Sequence, residues 1–125
     1  MSLRPTEAEL DILQVLWKLG PSSVKTVNED LSLKRDVGYT TTLKILQIMN
    51  EKGLCTREAI GKIHIYYPMI KEEQVKNNFI QEMVDQVFEG SAMELVIQTL
   101  GNYKANSKEI KELKELIEQI EQKKK

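Results

Sequence analysis

Val37-Gly38-Tyr39-Thr40-Thr41-Thr42-Leu43-Lys44-Ile45-Leu46-Gln47-Ile48-Met49-Asn50-Glu51-Lys52-Gly53 is the stretch on which the reading of this chain turns. At 3.6 residues per turn, Thr42, Leu43, Ile45, Leu46 and Met49 form a broad apolar stripe. Thr40, Thr41, Lys44, Gln47 and Glu51 fall on the other side, about one turn apart. Gly38 precedes the helix and Gly53 follows it, where a left-handed cap wants no Cβ. The spacing therefore predicts a short helix with one buried and one exposed face. The first two turns of the exposed face carry hydroxyls, an ammonium and an amide, with no carboxylate before Glu51. Such groups donate to phosphates and to base edges in a major groove. An ordinary solvated face is also polar, so the neighbouring elements must decide between the two.

Upstream, Thr6-Glu7-Ala8-Glu9 fits a capping box that opens a first helix. Leu10, Leu13 and Trp17 lie on one side of it, with Ile12, Leu16 and Leu19 adjacent, and Gly20-Pro21 stops it. Trp17 reads as a core anchor. Ser22-Ser23 caps a second helix, roughly 24 to 33, with Val24, Val27 and Leu31 facing inward. Lys25 and Thr26 stand in its first turn, where free backbone N–H groups favour an anion.

Downstream of Gly53 the period changes. Residues 54–60 form a plausible strand, Gly61-Lys62 a turn, and Ile63-His64-Ile65-Tyr66-Tyr67 a return strand ended by Pro68. Three short helices followed by a hairpin is the order of a winged helix-turn-helix. In that arrangement the third helix enters the major groove and the wing reaches the backbone or adjacent minor groove. The expected DNA contacts are Lys25, Thr26, Thr40, Thr41, Lys44, Gln47 and Lys62. The first core is expected around Leu13, Trp17, Leu31, Leu46 and Ile65.

Composition narrows the alternatives. The chain has 125 residues, 41% hydrophobic and 30% charged, which suits one domain or a domain with an appendage. No apolar run approaches the roughly 20 residues that span a bilayer. Met1-Ser2-Leu3-Arg4-Pro5 lacks the apolar core of a signal peptide. The single cysteine, Cys55, rules out an internal disulfide and a cysteine-rich metal site, and a cytoplasmic location is expected. Cys55 and His64 lie on opposite strands and could approach each other, but two ligands do not make a zinc site. Cys55 reads as a small semi-buried filler and His64 as a partly exposed strand residue. One histidine, no nucleophile elbow and no Gly-rich phosphate loop argue against an enzyme, and no cofactor is expected. The net charge is −1: residues through Ile70 carry +1 and those from Lys71 onward −2, so any basic surface must be local.

Beyond Pro68 the chain is helical. From about Glu72 to Glu89, Val75, Phe79, Ile80, Met83, Val84, Val87 and Phe88 recur at three- and four-residue steps. Gly90 breaks the pattern, and Ser91 with Glu94 fits a second capping box. Met93, Val96, Ile97 and Leu100 follow, then Gly101-Asn102. Asn106 or Ser107 opens a last helix carrying Ile110, Leu113, Leu116, Ile117 and Ile120, which frays in Lys123-Lys124-Lys125. Such a helical piece is near the lower size limit for a core of its own. The expected division is a winged helix at 1–70 and a helical dimerisation region at 71–125. Phe79, Met83, Val87, Phe88, Val96, Ile97, Leu100, Leu113 and Ile117 are the expected contacts with a second copy.

These residues also carry a resemblance. Thr6-Glu7-Ala8-Glu9-Leu10 with Val15-Leu16-Trp17, Gly38-Tyr39-Thr40-Thr41 with Leu43 and Leu46, Glu51-Lys52-Gly53-Leu54, Gly61-Lys62 and Tyr66-Tyr67-Pro68 are similar to the BlaI/MecI/CopY family of bacterial repressors. The likeness covers nearly the whole chain. It implies a homodimeric winged-helix repressor that binds an inverted repeat over a promoter, often of penicillinase or metal-export genes. It also implies a possible partner in a membrane sensor protease. The penicillinase repressors are cut at an Asn-Phe pair, a place held here by Gln98-Thr99. The copper-responsive members bind metal through Cys-x-Cys pairs near the C-terminus, which this chain lacks. The other open function is a winged-helix protein-interaction module without sequence-specific DNA binding.

Overall fold

The computed structural model describes residues 4–124. Met1-Ser2-Leu3 and Lys125, on which the leader reading and part of the fraying expectation rest, lie outside the described residues. The elements are α1 (Glu7–Leu19), β1 (Ser22–Ser23), α2 (Val24–Leu31), α3 (Tyr39–Lys52), β2 (Cys55–Ile60), β3 (Ile63–Pro68), α4 (Glu72–Gln86), α5 (Ala92–Asn102) and α6 (Ser107–Lys123). Two compact units divide between Gln81 and Glu82, inside α4.

The first unit is a winged helix. Thr6 caps α1 as the sequence predicts: its hydroxyl accepts from the Glu9 N–H while Glu9 reaches back to the Thr6 N–H. Ile12, Leu13 and Leu16 from α1 pack with Val27 of α2, Leu46 and Met49 of α3, and Leu54 and Tyr66. Fully burying each apolar side chain stabilises by roughly 1.5–3 kcal/mol as an upper bound. Ile70 and Val75 complete this core, so the first turns of α4 belong to it. Trp17 is half-buried rather than central, and its indole N–H donates to the Ile70 carbonyl at 3.0 Å.

The wing has three strands, not two. β1 pairs antiparallel with β3 (Ser22 with Tyr66, Ser23 with Ile65), and β2 pairs with the other edge of β3. A two-residue strand carries no alternation, and Ser22-Ser23 showed only its capping role in sequence. Other boundaries also move. α2 ends at Leu31, and Leu33 is 82% exposed, because no inward apolar residue follows Leu31. α4 ends at Gln86, where Glu89 and Gly90 adopt positive φ. Gly101 and Asn102 lie in the last turn of α5. Leu19 is 48% exposed. Cys55 is fully buried, its thiol against the Leu46 carbonyl, and burial pushes that thiol up to about 11.

In the second unit, the Ser91 hydroxyl accepts from the Glu94 N–H, and Asn106 with Glu109 forms a complete capping box on α6. Neither α5 nor α6 buries a residue.

Candidate nucleic-acid interface

The pose of α3 is set by polar contacts to α1 and α2. The Asn28 amide donates to the Val37 carbonyl (2.8 Å) and to the Thr42 hydroxyl (3.0 Å). Thr42 in turn donates to the Gly38 carbonyl. One side chain of α2 thus ties down the connecting turn and the first turn of α3. At the far end, Gly53 is left-handed (φ 85°) and the Leu54 N–H reaches back to the Met49 carbonyl, a Schellman-type stop. Lys52 pairs with the buried Glu9 at 2.9 Å, joining the end of α3 to the start of α1. Burial pushes the Glu9 carboxyl up, but the Thr6 N–H and the Lys52 ammonium outweigh it and hold the carboxyl below its ordinary value.

With α3 so fixed, Thr40, Thr41, Lys44 and Gln47 are all exposed on its outer face. Lys25 and Thr26 are exposed at the start of α2, and Lys62 at the tip of the wing beside Gly61, whose φ is 64°. Thr26 also serves its own helix: its N–H donates to the Ser23 hydroxyl, which donates to the Thr26 hydroxyl. A cleft of about 550 Å³ brings Lys25 and Lys62 together with Tyr39 and Leu43 of α3 and His64 of β3. Thr26, Thr40, Thr41, Lys44 and Gln47 stand outside its lining. No carboxylate lines it. Among the described residues, Lys25, Lys44 and Lys62 form no ion pair, whereas Lys18, Arg35 and Lys52 are paired with Asp30, Asp11 and Glu9.

The sequence reading missed Asn28, Tyr39 and His64. Asn28 lies one turn beyond Val24 on the inward face, where a lone amide signals a buried tie. The cleft that joins Tyr39 to His64 exists only in three dimensions. His64 and Cys55 do not meet: Cys55 pairs with Pro68 at the base of the wing, and His64 with Ala59 near its tip. Among the described residues, no three His, Cys, Asp or Glu side chains cluster as metal ligands, and no helix is long and apolar enough to cross a membrane.

In the second unit, Met83, Val87, Val96, Ile97, Leu100 and Ile117 are each at least 41% exposed, and Phe88 and Leu113 are half-buried. Leu100 and Leu113 share a groove with Tyr103 and Leu116. The Tyr103 hydroxyl donates to Glu109, which raises the phenol and lowers the carboxyl relative to their ordinary values. Phe79, in the first unit, is 37% exposed and lies under the Arg4 guanidinium at 5.2 Å.

A family model described as penicillinase repressor matches residues 5–119. The chain belongs to that family. It is 22% identical over 105 residues to the methicillin resistance regulatory protein MecI of Mammaliicoccus sciuri, covering 84% of this chain and 85% of that one. Among solved structures, the DNA-binding domain of the repressor BlaI superposes with a TM-score of 0.52 at 26% identity, over 59% of this chain and 93% of that one. The monomeric form of Bacillus licheniformis BlaI, solved in complex with the blaP half-operator, superposes with a TM-score of 0.50 at 25% identity, over 57% of this chain and 87% of that one. Both structures match the winged-helix fold of the first unit.

Proposed function

We propose that this protein is a transcriptional repressor that binds an operator through α3 and its wing, as a homodimer on an inverted repeat. The observation that carries the proposal is the distribution of cations. Among the described residues, Lys25, Lys44 and Lys62 stand without a carboxylate partner around an exposed row of Thr40, Thr41 and Gln47, and no carboxylate lines the cleft that Lys25 and Lys62 share, whereas Lys18 and Lys52 of the same unit are paired with Asp30 and Glu9. A net charge of −1 does not oppose this, because phosphate attraction acts over about a Debye length of 8–10 Å. On this reading Thr40, Thr41, Lys44 and Gln47 meet base edges and flanking phosphates. Lys25, Thr26 and Lys62 meet the backbone.

The solved BlaI–half-operator complex supports the DNA partner. The exposed apolar residues of α4 to α6 support the second copy, since runs of this kind mark interaction surfaces. We assign the protein to the cytoplasm, where a membrane sensor protease could reach it. Gln98 and Thr99, in place of an Asn-Phe pair, lie exposed within α5, and the Thr99 hydroxyl donates to the Leu95 carbonyl. A protease that cuts there must first open this helix.

The test is a gel shift on the DNA upstream of the protein's own reading frame, with excess unrelated DNA as competitor. A retained complex that Lys44→Ala weakens is expected. Binding that the competitor abolishes, or none at all, would leave a winged-helix interaction module as the function.

A further inference from the structure

Tyr39 and His64 have no part in the row of side chains along α3, yet both line the cleft that Lys25 and Lys62 enter. We propose that this cleft is a seat for a single DNA backbone phosphate, held jointly by Lys25 from α2, Tyr39 from α3 and His64 and Lys62 from the wing. The proposal rests on the DNA-binding reading above and adds to it two contact residues and a shared ligand.

The chemistry of the lining selects a phosphodiester. Two ammonium groups, a phenol and an imidazole can all donate hydrogen bonds, and no carboxylate competes. A phosphate only accepts, whereas a base edge presents donors and acceptors together. The Ser23 hydroxyl, also on the rim, is already spent on Thr26. The remaining walls are Val24, Leu43 and Ile63, an apolar surface suited to the carbon face of a deoxyribose.

Tyr39 supplies a second line of support. Of the four tyrosines, Tyr66 accepts from Arg57, Tyr67 donates to Glu58 and Tyr103 donates to Glu109. Among the described residues, the Tyr39 hydroxyl has no hydrogen-bond partner and its side chain is half exposed at the cleft. The same holds for the His64 imidazole. One phosphate gripped from three elements would hold the wing and α3 in fixed register on one strand, independent of base sequence.

A double-mutant cycle on a fluorescent duplex of random sequence, at low salt, tests the shared seat. Lys25→Met and His64→Phe should each weaken binding about three- to tenfold. The double variant should lose little more than the weaker single, because groups on one ligand are not additive. Tyr39→Phe should lose binding in the same way with its ring retained. Thermal melts check folding; should His64→Phe melt early, Lys25→Met with Tyr39→Phe completes the cycle. Losses that multiply in the double variant would place these groups on separate phosphates and overturn the seat. Unchanged single variants would overturn it too. A wild-type protein that binds no duplex would instead overturn the DNA-binding function itself.

Discussion

Lys44 sits one turn into α3 and Lys62 at the wing tip, both unpaired, so their removal should be felt differently. Lys44→Ala should cost about 1–3 kcal/mol on the operator and blur preference at one base pair. Lys62→Ala should weaken all sequences alike and flatten the salt dependence by about one unit of slope. Titrations on operator and random duplex at several salt concentrations separate the two; variants that match wild type throughout would exclude this docking. Lys52 is a different kind of lysine, because it serves the fold. Its partner Glu9 has a folded-state carboxyl held below its ordinary value. The stabilisation is therefore complete above the unfolded carboxylate range, near pH 4.3, and is lost as pH falls through the folded value. Lys52→Met leaves Glu9 buried without its cation, so its carboxyl rises. Since Lys52 is itself 44% exposed, the loss should be about 1–2 kcal/mol at neutral pH, fading as pH falls through the range in which the folded-state carboxyl takes up its proton. Urea denaturation across that range checks it, and a gap that stays constant with pH would contradict the pairing.

At the scale of elements, the tie from Asn28 to the α2–α3 connection should matter for both stability and binding. Asn28→Ala leaves the Thr42 hydroxyl without that donor and the Val37 carbonyl with only the longer bond from the Ser32 hydroxyl, at 3.4 Å. A loss of about 1–3 kcal/mol in stability is expected, with weaker DNA binding even though Asn28 is not among the proposed contacts. A variant that binds fully would show that α3 holds its pose without the tie. What the sequence disclosed at this scale depended on periodicity and punctuation. The stripe of α3, the Thr6 box and the Gly53 stop are local signals, and each stands where it was expected. β1 was hidden because two serines that cap α2 also pair with β3, and no periodicity exists in two residues. The seven expected contacts could be named singly, since exposure on a helix or turn follows from spacing. The cleft linking Tyr39 to His64 could not, because it depends on how the wing folds back beside α3.

For the whole molecule, the two units imply a separation of tasks. A fragment ending at Gln81 keeps Ile70 and Val75 in the first core and should fold. It loses most of the exposed apolar faces of the C-terminal helices and should be a monomer. A second half-site would then no longer be bound intramolecularly, a linkage that raises apparent affinity by roughly 10²–10⁴. The fragment should bind a full operator at least about a hundredfold more weakly than the intact chain, and almost as weakly as it binds a half-site. The most direct measurement is a hydroxyl-radical footprint of the full-length protein on its operator. Two protected patches, related by a two-fold axis and separated by about 10 base pairs or a multiple of it, are expected from two α3 helices in successive major grooves. A single protected patch, or protection without dyad symmetry, would contradict a dimeric repressor.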